Sequence, residues 1–175
     1  KRQDINIVKS LIIKNTCDEQ GSGLCAYTTE NIFLLNTTIA GNSGSTQGVI
    51  FNGSGSSMNI RNSIISESQG SIYNNDQLSI TYSNISNGEN IVTSNTDGSN
   101  NAVLDYGDGN ISDDPQFVST VLSDLDLHLK PDSPCIDSAD PDYDGDGTNY
   151  TADTDDQDPD GTRMDMGAYY RHQYH

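Results

Sequence analysis

Four isoleucines return at similar intervals in the first half of the chain, and this repeat restricts the fold more than any other feature of the sequence. They are Ile12, Ile39, Ile65 and Ile85, at spacings of 27, 26 and 20 residues. A hydroxyl residue stands two positions before each of them (Ser10, Thr37, Ser63 and Ser83), and an apolar residue stands five positions before (Ile7, Leu34, Ile60 and Ile80). The turn-forming residues Asn15, Asn42, Ser68 and Gly88 follow three positions after. Offsets kept around every isoleucine indicate an internal structural repeat.

A repeat of this length, made of short strands and polar bends, is typical of one coil of a β-solenoid. One coil is too small to bury its own apolar face, so coils stack and align like residues into a continuous core. We therefore predict an all-β chain with a right-handed parallel β-helix over residues 1–120. The pairs Lys9-Ser10, Asn36-Thr37, Asn62-Ser63 and Tyr82-Ser83 are predicted to stack at the bends and to exchange hydrogen bonds along the axis.

The composition favours strands over helices. Asn, Asp, Ser, Thr and Gly dominate, whereas Ala is scarce and only four Glu occur, so strong helix formers are largely missing. An antiparallel β-sandwich would also contain many short strands. It does not explain the fixed offsets around each isoleucine, and the solenoid is therefore the preferred interpretation.

The charge of the chain restricts its partners. The formal net charge is −18, and eleven of the 22 Asp lie between Asp137 and Asp165, where Arg163 is the only basic residue. Nucleic acids and anionic membrane surfaces are disfavoured, because they would add repulsion between like charges. Metal cations are the favoured partners. No run of about 20 apolar residues occurs, so we predict no membrane span.

The acidic segment contains the spacing of a calcium-binding loop, D-x-D-x-D-G, in which alternate oxygen ligands converge on one hard cation. The predicted ligands at positions 1, 3, 5, 7 and 12 are Asp142, Asp144, Asp146, Thr148 and Asp153. A second run supplies Asp156, Asp158 and Asp160, but it has Gly167 at its twelfth position and is predicted to share ligands with the first. Pro141 precedes the loop, so we expect Ca²⁺ binding without EF-hand helices. A solvated acidic tail is the alternative interpretation.

The isoleucine repeat stops after Ile111. Pro115 breaks the chain, and Leu125, Leu127 and Leu129 then alternate with polar residues, as in an amphipathic strand. We predict that this strand lies against the end of the solenoid. Residues 121–175 are predicted to form a C-terminal cap that carries the calcium loops.

Cysteines and glycosylation sequons suggest an extracellular setting. Cys17 and Cys25 flank a short Gly- and Ser-containing loop and are predicted to form a disulfide, with two free thiols as the alternative. Cys135 lies in an apolar phrase and is interpreted as a buried thiol. Five Asn-x-Ser/Thr sequons occur, at Asn36, Asn52, Asn84, Asn110 and Asn149, and are candidate N-glycosylation sites.

The stretch from Asn110 to Tyr169 resembles the C-terminal module of secreted bacterial and archaeal parallel β-helix repeat proteins of the choice-of-anchor type. The matching phrases are Asp114-Pro115 with Phe117, Leu127-His128-Leu129, Ser133-Pro134-Cys135-Ile136-Asp137, Asp160-Gly161 with Arg163, and Asp165-Met166-Gly167-Ala168-Tyr169. Tyr170 stands where the family commonly has Glu. The resemblance implies the β-helix fold and a secreted, extracellular location, while members of such a family differ in function.

Three classes of function follow from these features. We expect a calcium-stabilised module with a structural or adhesive role at the cell surface. The chain begins at Lys1 in a strand-forming region, so its open edge is expected to be covered by upstream chain or by copies stacked end to end into a filament. A glycan-binding module is the second class, with Tyr73, Tyr82 and Tyr106 as stacking residues.

The third class is the C-terminal part of a polysaccharide lyase or glycoside hydrolase, an expectation based on analogy with other β-helices. A lyase needs a positioned base, and a hydrolase needs paired carboxylates. The candidate bases are Lys9, Lys14 and Arg61, and the candidate acids are Asp76, Asp105, Asp108 and Asp113. They form no recognisable constellation, so catalysis is not the favoured interpretation.

Overall fold

The structure, a computed structural model, describes residues 3–27, 30–44, 46–66, 71–95 and 102–173. These residues contain fifteen short strands, three 3-10 helices and no α-helix. The strands are β1 (Gln3–Val8), β2 (Leu11–Ile13), β3 (Leu24–Ala26), β4 (Glu30–Leu35), β5 (Thr38–Ala40), β6 (Ile50–Asn52), β7 (Ser57–Arg61), β8 (Ile64–Ser66), β9 (Ile72–Asn74), β10 (Gln77–Thr81), β11 (Asn84–Ile85), β12 (Val92–Ser94), β13 (Val103–Tyr106), β14 (Phe117–Ser119) and β15 (Asp126–Leu129). The 3-10 helices are η1 (Gly88–Ile91), η2 (Leu122–Asp124) and η3 (Thr154–Asp156).

The first thirteen strands wind into three parallel sheets. Sheet A has the order β1-β4-β7-β10-β13, sheet B the order β2-β5-β8-β11, and sheet C the order β3-β6-β9-β12. Each strand pairs in parallel with the strand three places further along the chain. The chain therefore visits A, B and C in turn, and the prediction of a parallel β-solenoid is confirmed. The antiparallel sandwich is wrong, because every pair within these three sheets is parallel.

The isoleucine repeat is the register of the solenoid. Ile12, Ile39, Ile65 and Ile85 are successive partners in sheet B. Ile7, Leu34, Ile60 and Ile80 are successive partners in sheet A. Residues of both rows point inward into one apolar core, and most of them are fully buried. Of the predicted turn residues, Ser68 lies outside the described part of the chain.

The bends between sheets A and B carry a ladder of side-chain hydrogen bonds. The Thr37 amide donates to Ser63 Oγ at 3.1 Å, and the Ser63 amide donates to Ser83 Oγ at 3.1 Å. The ladder continues beyond the predicted repeat, because the Ser83 amide donates to Asn110 Oδ1 at 3.0 Å. The Ser10 hydroxyl instead donates to the Val8 carbonyl of its own coil. The residue before each hydroxyl adopts a left-handed conformation, with φ between 45° and 54° at Lys9, Asn36, Asn62 and Tyr82.

The C-terminal segment, residues 113–173, runs along the outer face of sheet B. The outward-facing apolar side chains of sheet B are Leu11, Ile13, Ala40 and Ile64. The side chains of the segment that pack with them include Phe117, Leu127, Leu129, Cys135, Ala139, Met164 and Met166. This second core is separate from the one inside the solenoid.

Hydrogen bonds made by backbone groups of the segment attach it to successive strands of sheet B and their bends. Ala168 N donates to Thr38 Oγ1 at 3.0 Å, and Gly167 N donates to the Asn62 carbonyl at 2.7 Å. Asn84 Nδ2 donates to the Asp113 carbonyl at 3.0 Å. The predicted position at the end of the solenoid is therefore wrong. The physical reason is the outward apolar face of sheet B, which needs a cover along its length.

The strand predicted from the alternating leucines is one half of a hairpin. β15 contains Leu127 and Leu129 and pairs antiparallel with β14. Leu127 and Leu129 are buried, whereas His128 between them is exposed, as the alternation predicts. The hairpin supplies apolar side chains to the core between the segment and sheet B.

Candidate metal centre

The Asp-x-Asp-x-Asp-Gly loop is shaped by bonds from its carboxylates to nearby backbone amides. Asp144 Oδ1 accepts from Asp146 N at 3.0 Å, and Asp146 Oδ1 accepts from Thr148 N at 2.7 Å. Asp142 Oδ2 accepts from Gly147 N at 3.1 Å, and Gly147 has a φ of 89° that other residues rarely adopt. Each of these bonds uses one carboxylate oxygen.

Five of the predicted ligands converge in two groups of three. In the first group, Asp142, Asp144 and Asp146 each offer one oxygen within 4.8 Å of the others. In the second group, Asp144, Asp153 and Asp156 meet the same criterion. Asp144 belongs to both. Asp156, the first residue of the second Asp run, therefore lies close to two carboxylates of the first run.

Asp156 is fully buried and has an oxygen with no partner. Its Oδ1 accepts from Tyr143 N at 2.6 Å and from Asp144 N at 3.2 Å. Its Oδ2 is buried and receives no hydrogen bond, and the same holds for Asp142 Oδ1. A buried carboxylate oxygen without a partner is costly, because burial removes its hydration. A cation in the second group would supply the missing contact to Asp156.

Electrostatics at the loop also favour a cation. Within the described residues, no ion pair joins the five carboxylates to a basic side chain. A backbone hydrogen bond from Asp146 lowers the pKa of Asp144, but desolvation and the surrounding carboxylates outweigh it and raise this pKa above its ordinary value. Mutual repulsion of this kind is what a divalent ion relieves.

Arg61 attaches the start of the loop to the solenoid, and Arg163 supports it from within the C-terminal segment. Arg61 on β7 donates from Nη2 to the Tyr143 carbonyl at 2.5 Å, and its Nη1 lies 3.5 Å from Asp140 Oδ2. The Arg61 guanidinium also stands over the Tyr143 ring, 5.2 Å from its centroid. Arg163 donates from Nε to the Ala139 carbonyl. Arg61, a candidate catalytic base in the sequence, is therefore part of this attachment.

Two predicted carboxylate ligands, Asp158 and Asp160, belong to neither group, and Thr148 is predicted to contribute only its backbone carbonyl. Thr148 donates its amide to Asp146, as described above. Asp158 Oδ2 accepts from Asp165 N at 2.8 Å. Asp160 Oδ2 accepts from Gln173 N at 2.7 Å, and its Oδ1 accepts from the Thr162 hydroxyl at 2.7 Å. Asp158 and Asp160 thus fasten the last residues of the segment.

Asp165 connects several parts of the segment through hydrogen bonds, and the sequence predicted no site role for it. Its Oδ1 accepts from Asp137 N at 2.8 Å, and its Oδ2 accepts from Arg171 N at 2.6 Å. Desolvation raises the pKa of Asp165 to about 6 and that of Asp158 to about 7. The only sequence signal was the place of Asp165 at the start of the Asp-Met-Gly-Ala-Tyr phrase.

The cysteine pair predicted to form a disulfide is not bonded. Cys17, Cys25 and Cys135 are all free thiols. Cys25 lies on β3 and faces outward, because Leu24 and Ala26 on either side of it face the core. The half-buried Cys17 donates its Sγ–H to the Gln20 carbonyl at 3.5 Å. The predicted buried Cys135 is confirmed, and burial raises its pKa to about 11.

The five sequons lie in very different environments. Asn36, Asn52 and Asn84 are buried, and their side-chain amides donate to Asp165 O, Asn74 Oδ1 and Asp113 O respectively. Asn110 is half-buried and donates to the Ile80 carbonyl. Asn149 is exposed. A glycan at the three buried positions would break these bonds, so Asn149 is the sequon best placed for modification.

The residues proposed for sugar binding do not share one surface. Tyr73 on β9 stacks on Phe51 with ring centroids 5.7 Å apart. Tyr82 lies beneath Arg163, and Tyr106 packs against the solenoid core. Among the candidate acids, Asp76 accepts from Gly55 N at 2.7 Å, as a turn former does. Within the described residues, no helix has the length and apolar character needed to cross a bilayer.

Comparison of the chain with protein-family models, with curated proteins and with solved structures found no match in any of the three. The class of protein is therefore defined by the fold itself, a parallel β-solenoid with an Asp-rich segment along one sheet. None of the comparisons supports the resemblance to choice-of-anchor modules, which stays a prediction from the sequence.

Proposed function

We propose that this protein is a calcium-stabilised structural module, in which bound calcium orders the loop from Asp140 to Asp156 and keeps it attached to the solenoid. The observation that carries the proposal is the fully buried Asp156, whose Oδ2 has no hydrogen-bond partner and whose carboxylate is grouped with those of Asp144 and Asp153. Calcium would satisfy this oxygen and neutralise its neighbours.

The donor set favours calcium over other biological cations. All five converging side chains offer carboxylate oxygens, which suit hard cations, whereas zinc prefers sulfur and nitrogen ligands. Calcium accepts irregular geometry with six to eight oxygens at about 2.3–2.6 Å, while magnesium needs a near-ideal octahedron. A loop that offers several carboxylates, the Thr148 carbonyl and water therefore suits the irregular coordination of calcium.

A chain of contacts links the candidate site to the solenoid. Asp156 Oδ1 holds the amide of Tyr143, and the Tyr143 carbonyl accepts from Arg61 on β7. Asp140, at the start of the loop, donates its amide to Asn62 Oδ1 at 2.8 Å. Ordering Asp156 by a cation therefore also orders the residues that touch sheet A and the adjoining bend.

The proposed setting is extracellular, at the cell surface. Extracellular calcium modules work with dissociation constants of about 10⁻⁴–10⁻³ M, which suit a loop closed by the short Asp153 in place of Glu. A solenoid with charged exterior and rigid core suits a structural or adhesive role. Strands β1, β2 and β3 are edge strands of their sheets among the described residues, and end-to-end stacking of copies is part of this proposal.

The experiment is thermal unfolding of the chain with millimolar calcium and with a chelator. Calcium at 100 times its dissociation constant adds about 2.7 kcal/mol to the free energy of unfolding. For a chain of this length we expect Tm to rise by about 5–10 °C. Asp156→Asn should remove most of the shift, and Asp108→Asn, an exposed control with the same charge change, should keep it. An equal Tm in calcium and chelator would refute the proposal.

A further inference from the structure

We infer that the candidate centre holds two calcium ions which share the carboxylate of Asp144. This inference rests on the proposed function and deepens it, because it assigns a number of ions and a set of ligands to each. One ion would bind Asp142, Asp144 and Asp146, and the other would bind Asp144, Asp153 and Asp156.

The geometry separates the two positions. Oxygens bound to one calcium ion lie at about 2.3–2.6 Å from it, so any two of them are at most about 5 Å apart. The oxygens within each group of three meet that limit at 4.8 Å, but the five residues are joined into one cluster only through Asp144. A single ion in either group would leave two carboxylates of the other group without a cation.

The unpartnered oxygens point to the same conclusion. Asp156 belongs to one group and Asp142 to the other. Each has one buried carboxylate oxygen without a hydrogen bond, Oδ2 in Asp156 and Oδ1 in Asp142. The second oxygen of each residue is already held by backbone amides, Tyr143 and Asp144 for Asp156, and Gly147 for Asp142. Each group therefore has its own buried oxygen that is positioned by the backbone and lacks a partner.

Charge balance also favours more than one ion. The five carboxylates carry five negative charges, and the nearby Arg61 is paired with Asp140 outside the two groups. One calcium ion would leave a residual charge of −3, whereas two would leave −1. Charges this close interact strongly in a partly dehydrated site. A second ion would therefore relieve the repulsion among the carboxylates of the group that the first ion does not bind.

Native mass spectrometry of the full chain titrated with calcium tests this inference. Asp146→Asn and Asp153→Asn each change a ligand of one group only, and Asn keeps the Oδ1 that accepts from Thr148 N or Asp155 N. We expect two ions on the unmodified chain, one on each of these variants, and at least a tenfold weaker binding of both ions in Asp144→Asn. Asp108→Asn should retain two, and circular dichroism of each variant should show unchanged strand content.

The outcomes separate the inference from the proposed function. A maximum of one ion on the unmodified chain, lost in both Asp146→Asn and Asp153→Asn, would overturn the shared pair and leave a single calcium site. A maximum of one ion on the unmodified chain that is lost in only one of these two variants would also overturn the shared pair. No bound calcium at millimolar concentrations would overturn both the pair and the proposed function.

Discussion

The solenoid and the C-terminal segment are both ordered, but by opposite means. The solenoid repeats one arrangement along an axis, so that Ile39 packs between Ile12 and Ile65, and the hydroxyl of Ser63 repeats the bond made by Ser83. The segment repeats nothing. It combines an apolar face laid on sheet B with many single bonds from Asp side chains to backbone amides. We therefore expect the first region to fold without ions and the second, which concentrates negative charge, to be stabilised by a cation.

The largest expected effect tests whether the solenoid core is independent of calcium. Ile60 is fully buried between Leu34 and Ile80 in sheet A. Ile60→Ala should lower the free energy of unfolding by about 2–5 kcal/mol, because it removes buried methylenes and leaves a cavity. Urea unfolding should show the same loss in calcium and in chelator.

The conservative change Ile60→Val provides the control, with an expected loss of about 0.5–1.5 kcal/mol. A loss for Ile60→Ala that disappears in chelator would contradict the comparison. It would show that the coils depend on the ion as much as the segment does.

A smaller effect is expected from the hydroxyl ladder. Ser63 Oγ accepts from Thr37 N and donates to the Arg61 carbonyl at 2.9 Å, in a buried bend. Ser63→Ala should cost about 1–3 kcal/mol, because the Thr37 amide loses its partner. Ser10→Ala is the matched control, since Ser10 is half-buried and, among the described residues, its hydroxyl donates to the Val8 carbonyl of its own coil. Equal losses in urea unfolding for the two variants would contradict a ladder that stabilises the bends.

The smallest expected effect is a difference in the alkylation rates of two thiols, one in each region. Cys25 on β3 is exposed, whereas Cys135 in the segment is buried, accepts from Asn84 Nδ2 at 3.1 Å and has a pKa raised to about 11. Near pH 8 the native chain should be alkylated at Cys25 and protected at Cys135, because only the thiolate reacts. Mass spectrometry of the labelled peptides measures both rates.

Chelation sharpens this measurement. If calcium keeps the segment attached to sheet B, chelator should speed labelling of Cys135 and leave the rate at Cys25 unchanged. Equal acceleration at both cysteines would mean that the two regions open together, and the distinction between them would fail.

The repeat could be translated into structure because a solenoid converts sequence offsets directly into stacking. Residues at equal offsets from Ile12, Ile39, Ile65 and Ile85 became partners in the sheets, and the predicted hydroxyls lie at the bends. The extension of the ladder to Asn110 was missed, because the fifth repeat has an amide in place of the hydroxyl and Ser112 in place of the isoleucine. The isolated bridge between Asn84 and Ile111 shows that this repeat still stacks on the fourth coil. The spacing of the Asp residues similarly identified five side chains that converge.

Tertiary structure alone decided the rest. The outward apolar face of sheet B forms only when the strands stack and bring together Leu11, Ile13, Ala40 and Ile64. Because the C-terminal segment covers this face, it lies along the solenoid and not across its end. All Asp side chains have the same chemistry, so spacing cannot tell which of them meet backbone amides far along the chain. The fold brought Asp156 to Asp144 and sent Asp158 and Asp160 to residues 162–173. Local repetition is written in the sequence, whereas single long-range contacts depend on how the whole chain packs.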